Sequence, residues 1–438
     1  MASKTVVGPL IRQISSRSYA QAAPSIIKEI RLTSSTTNKI FIAAFDNNSP
    51  LARVTVAFRA GSRYEPCTEL GISHVLRSAT GLTTTGAAAF ITARKLAQIG
   101  ASLSATGDRE FIYYTLEATH DNLQPAIEIM ANAITSQEFR QWELDDNSPR
   151  LKFDIAALTP QVRTIDLLHK AAFRRNLGNS LFISPKRIGK VSSESLLHYA
   201  SQNLTASRCA VVVVGDTQER ASKIAQNLKV FQSGSEVKTE AAVYYGGDAR
   251  KDIGGDLAHV ALALPGAAAG TKESLALAIA AKALGCGPVT KWGSDNSALA
   301  RAIGNIGPFA VAGFNVSYSD TGLYGAVLSV PKDEAECAVR KVASALKSGV
   351  LSPSDIKIGK NQLKLQLLSE SDAGTFAAES LAAQGLYTGT VKTAVEIGQQ
   401  IDLITDNDVL QILAGIAKKK MSMGTVGNIA FVPYVDEL

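Results

Sequence analysis

Between residues 51 and 58 the apolar Val54, Val56 and Phe58 alternate with Thr55 and Ala57. A period of two predicts a strand with one face toward a core. From Ile72 the period lengthens. At about 100° per residue, Ile72, Val75, Leu76 and Ala79 form one stripe, which predicts a helix over 72–79 with His74, Arg77 and Ser78 on its other side. A second helix is expected over Ala88–Ile99, closed by Gly100, because glycine accepts the left-handed angles just past a helix end. Phe111–Glu117 reads as a strand. Asp121 is the expected N-cap of a helix whose stripe is Leu123, Ile127, Met130 and Ile134. The apolar run Cys209–Val214 is too short to span a membrane and reads as a buried strand.

The same layout recurs further on. Residues 91–117 run as a helical stretch ending at Gly100, then a strand, a turn and a tyrosine-bearing strand. Residues 298–327 repeat this, with the helical stretch ending at Gly307. Tyr113 and Tyr324 are 211 positions apart, and Gly215 and Gly427, each after a strand, are 212 apart. The pattern predicts duplication. The polar stretch 231–240, which contains Ser-Gly-Ser, is the expected linker. The expected layout is a leader over 1–23, one domain over 24–230, the linker, and a second domain over 241–438. Interspersed strands, hairpins and helices make each domain α+β, a mixed sheet packed by helices.

Composition narrows the function. Of 438 residues, 46% are hydrophobic and 19% charged, which supports a large core. Residues 1–23 carry Lys4, Arg12 and Arg17, recurrent serines and no acid, the pattern of a mitochondrial import leader. Without those three bases the formal charge falls from +6 to +3 (6 − 3), and nucleic-acid binding loses its electrostatic basis. The cysteines Cys67, Cys209, Cys286 and Cys337 form no CxxC pair and are expected to be free, buried thiols. No GxGxxG, P-loop or GxSxG motif is present. His120, His169, His198 and His259 lack metal-ligand spacing and are expected to be structural or solvated.

The segment His74-Val75-Leu76-Arg77-Ser78 has the shape of a His-x-x-Glu-His helix with its chemistry replaced. Inverted zinc peptidases hold the metal with two histidines one turn apart, and the glutamate takes a proton from the bound water. Here Arg77 stands at the glutamate position and Ser78 at the second histidine. The alternative is the solvated polar face of an ordinary amphipathic helix with an incidental histidine.

With the duplication and the segments 138–146, 183–199, 314–325 and 431–438, this helix makes the whole mature chain resemble the mitochondrial processing peptidase family. That family includes insulin-degrading and pitrilysin-type enzymes. The resemblance implies paired α+β domains and, in active members, a distal glutamate ligand about 75 residues on. The corresponding stretch Leu151–Ala157 offers only Asp154 as a carboxylate. The resemblance therefore implies no catalysis, no metal and no cofactor bound by this chain. Within the family it leans toward the non-catalytic core subunits of respiratory complex III. That implies core protein 1 and the haem-bearing membrane subunits as partners, no nucleic acid, and a place on the matrix side of the mitochondrial inner membrane, held by protein contacts. The alternative is the inactive alpha subunit of the processing peptidase. Its long glycine-rich loop is not matched by Leu284–Gly293, where three glycines are broken up by Pro288 and Trp292.

Overall fold

Two sheets organise the chain. The computed structural model describes residues 31–37, 39–228, 239–285, 297–304, 306–349 and 351–438. The expected leader, residues 231–238 of the expected linker and the stretch Cys286–Gly293 lie outside the described residues.

The first sheet comprises β1 (Arg31–Thr37), β2 (Ile40–Asp46), β3 (Leu51–Phe58), β4 (Ser102–Gly107), β5 (Ile112–Thr119) and β6 (Cys209–Val214), in the order β1-β2-β6-β3-β5-β4. The second comprises β7 (Gly247–Asp252), β8 (Leu257–Pro265), β9 (Ala310–Ser317), β10 (Gly322–Pro331) and β11 (Ser422–Gly427), in the order β7-β11-β8-β10-β9. Both are mixed: β2 with β6 and β7 with β11 are parallel, and the other pairs are antiparallel. The two orders coincide once β1 is set aside, so the duplication holds at the level of topology.

Each sheet buries one face against helices of its own half. The other face is covered by a helix from the opposite half. Pro160–Phe173, from the first half, lays Leu168, Ala172 and Phe173 on Ala261, Ala263 and Leu323 of the second sheet. Gly374–Thr388, from the second half, lays Ala378, Leu381, Ala382 and Leu386 on Phe41, Ala57, Val212 and Val214 of the first. Glycine permits both approaches. A Cβ at Gly424 would stand 2.5 Å from Leu168 N and Thr164 O. Gly385 passes against the Phe41 ring in the same way. This exchange explains why β3 is buried on both faces rather than one. Thr55 is fully buried, its hydroxyl 3.0 Å from that of Thr115 on β5.

Four expectations need correction. Asp121 is not the N-cap of its helix: residues 120–122 form a 3-10 turn and the helix runs Leu123–Thr135 from Asn122, with no side-chain cap. The helix Ala298–Ile303 ends at Gly304, whose φ of 68° stops it three residues before Gly307. Tyr113 and Tyr324 are not equivalent. Phe58 pairs with Ile112 and Leu264 with Tyr324, so the register of the repeat is 212 and Ile112 matches Tyr324. A one-residue slip moves a side chain to the other face: Tyr113 meets the exchanged helix, whereas Tyr324 sits in the core of its own half. Of the cysteines described, Cys209 is buried but Cys67 and Cys337 are exposed.

Candidate functional site

The helix Ile72–Ser78 begins at Gly71, whose φ is 91°. A Cβ there would lie 2.5 Å from Ile183 Cα, so only glycine lets the helix start against that segment. The Glu65 carboxylate accepts from the N–H groups of Gly71 at 2.8 Å and Ser73 at 2.9 Å, satisfying donors that a helix start leaves unpaired. The solvated polar face weighed from the sequence is not what forms. His74 and Ser78 are buried together with the apolar stripe.

The three motif positions have separate environments. His74 Nδ1 accepts from the Ile183 N–H at 3.3 Å, and Phe182 stands edge-on to its ring. That bond leaves the proton on Nε2, which faces Asp154 Oδ2 at 3.8 Å, beyond hydrogen-bonding range. Burial, reinforced by Arg77 and opposed by Asp154, lowers the His74 pKa to about 4, so the ring is neutral. Arg77 donates to the carbonyls of Ser73 at 3.4 Å, Gly107 at 3.2 Å and Leu181 at 2.9 Å. Burial draws its pKa down from the ordinary value. Ser78 Oγ accepts from the Asn147 amide. The fold thus brings Asp154 to His74, while Arg77 ties the helix to the β4–β5 turn and to the segment after Asn179.

One neutral imidazole and one carboxylate are two donors, and a catalytic zinc needs about three with a fourth position open to water. Among the described residues no three of His, Cys, Asp and Glu gather in metal-holding geometry. The position between the would-be ligands carries a guanidinium committed to carbonyls, which accepts no proton. The residues present do not fit the metal.

Residues 41–184 match the insulinase family, peptidase family M16, and residues 190–363 match the peptidase M16 inactive domain. The chain is 33% identical to the mitochondrial cytochrome b-c1 complex subunit 2 of Homo sapiens, over 99% of this chain and 96% of that relative. The chain belongs to the M16 family. More distantly, it is 23% identical to the mitochondrial-processing peptidase subunit alpha of Solanum tuberosum, over 91% of this chain and 82% of that protein. Among solved structures, a chain of complex III2 from Candida albicans, Inz-5 bound, has a TM-score of 0.78 at 18% identity, covering 93% of this chain and 98% of that one, which supports the M16 fold.

Sequence reasoning missed the polar cluster that joins the two M16 halves. Arg63 lies between Glu110 at 2.7 Å and both carboxylate oxygens of Asp320, at 2.9 and 2.5 Å. Glu110 in turn accepts from the Ser319 N–H at 2.9 Å. Nearby, Arg109 holds Asp166 at 2.7 Å, and the Tyr318 hydroxyl meets His169 Nε2 at 2.7 Å. His169 is therefore structural, and His259 pairs with Ser329 at 2.7 Å. His120 meets the Ser49 carbonyl at 3.1 Å, and His198 is exposed. The available signal was that Asp-Arg-Glu 108–110 and Tyr-Ser-Asp 318–320 occupy matching hairpin turns of the repeat.

Proposed function

We propose that the chain is a non-catalytic core subunit of mitochondrial complex III, of the subunit 2 type. It contributes a packed, assembly-supporting body in place of a reaction. The observation that carries this is near-full-length similarity to cytochrome b-c1 complex subunit 2 at 33% identity, against 23% for the processing-peptidase alpha subunit. The site supports the same reading. His74, Arg77 and Ser78 stand at the positions of a His-x-x-Glu-His motif, and in this reading they hold neither zinc nor a hydrolytic water. Arg77 is there a structural bolt.

The finer parts of the proposal concern placement. The partner is core protein 1, with the haem-bearing membrane subunits beyond it. The chain sits on the matrix side of the inner membrane, having been imported through its basic, acid-free leader. Among the described residues no helix is long and apolar enough to cross a membrane, which is consistent with attachment through protein contacts.

The test is depletion of the chain in cells. Assembled complex III falls while matrix presequence cleavage continues at its ordinary rate. Intact complex III with accumulating uncleaved precursors would instead establish the alpha-type subunit of the processing peptidase.

A further inference from the structure

The two sheets differ at one edge. In the first, β1 pairs antiparallel along the whole of β2, from Arg31↔Asp46 to Thr37↔Ile40. In the second, β7 stands where β2 stands, and among the described residues its partner is β11 alone. The residues that would have made a counterpart of β1 are used elsewhere. The chain before β7 crosses to the inter-half cluster, where the Glu240 carbonyl accepts from Arg63 and the Ala242 N–H donates to Asp320.

This leaves an edge of definite register. Gly247 and Ile253 donate inward to the carbonyls of Met421 and Gly427. Backbone groups alternate sides along a strand, so the N–H and C=O of Asp248, Arg250 and Asp252 point outward. Large side chains flank the edge: Tyr245 and Ile253 at the two ends of β7, and Tyr434, whose ring lies under Arg250, are each more than a third exposed. Lys251 also lines a cleft of about 370 Å³ with Lys170, Arg174 and Arg187. The carboxylate in that lining, Asp166, is already paired with Arg109. Proteins ordinarily cover or blunt such an edge.

We infer that the outer edge of β7 is a docking site for an extended segment of another protein subunit, which adds antiparallel to β7 as β1 adds to β2. Its backbone pairs with residues 248, 250 and 252. Its apolar side chains rest on the exposed fringe, and its acidic side chains face Lys251 and the cationic cleft. Main-chain pairing supplies affinity, and the alternating side chains supply specificity. Among the described residues no strand occupies this edge, and that holds whichever assembly the chain belongs to.

The test compares backbone hydrogen exchange of the full chain, alone and in the native assembly purified in mild detergent. The amides of Asp248, Arg250 and Asp252 slow in the assembly by about tenfold or more, the change that one added hydrogen bond makes in an opening equilibrium. A photo-crosslinker at Asp252 joins one acidic segment of another subunit. Lys251→Glu, at an exposed position, reverses most of that protection without changing the thermal midpoint of the isolated chain. Unchanged exchange in the assembly would overturn the inference. So would crosslinks to lipid, or to the chain's own residues 1–30, and so would a Lys251→Glu chain that docks as well as the original.

Discussion

At the scale of the residue, Arg77 and His74 are held as structure. Arg77→Ala removes the donor from the Gly107 and Leu181 carbonyls and is expected to destabilise the isolated chain by about 3 kcal/mol in denaturant titrations. His74 sets a pH dependence. Its folded pKa, about 4, lies below its unfolded value near 6.5, so the stability it contributes is present above pH 6.5 and is lost as pH falls toward 4. The loss is about 3 kcal/mol, and His74→Gln flattens that part of the stability profile. An unchanged profile in the variant would contradict the neutral, buried ring. Arg77→Glu with Ser78→His still gains no stoichiometric zinc, because the one further carboxylate, Asp154, stands 3.8 Å from His74 Nε2 without the supporting contacts that orient a ligand on a metal. One tight zinc per chain, lost on replacing His74, would contradict this. The sequence placed all three residues on one side of a helix. It did not show that side to be buried, because the carbonyls that hold Arg77 come from 30 and 104 positions away.

At the scale of the element, glycine sets how closely the exchanged helices lie on the sheets. Gly424→Ala drives a methyl into backbone atoms of the helix Pro160–Phe173 and is expected to cost about 1–3 kcal/mol. Gly398→Ala, in the helix Ala394–Leu403 with nothing near its Cβ position, is expected to stabilise by up to about 1 kcal/mol. Equal thermal shifts for the two would remove the close-approach account. Strand and helix identities were legible because the periods of Val54–Phe58 and Ile72–Ala79 are clear. Register was less so. Offsets of 211 and 212 look alike in a sequence, yet only 212 keeps Ile112 and Tyr324 on the core face of their sheets. The end of the helix at Gly304 in place of Gly307 is a similar local ambiguity between two glycines of one stretch.

At the scale of the whole molecule, the two halves are tied by exchanged helices and by the Arg63–Glu110–Asp320 cluster. Cleavage within residues 231–238 should therefore leave both fragments in one particle by size-exclusion chromatography, separating in denaturant; fragments that part in buffer would contradict the exchange. Arg63→Ala leaves two carboxylates facing each other without their cation and should cost about 3–5 kcal/mol. The duplication and the α+β class were legible in the repeated order of helix, hairpin and glycine. The exchange was not, because Pro160–Phe173 is amphipathic like any helix and its pattern does not say which sheet it covers. The central claim is that this M16 chain serves as a core subunit of complex III. Its most direct test is to tag the chain in native mitochondria, purify it in mild detergent and record the reduced-minus-oxidised spectrum. The expected result is b- and c-type haem bands in fixed ratio to the chain, with quinol–cytochrome c reductase activity in the same fraction. A haem-free fraction that cleaves presequences would contradict it.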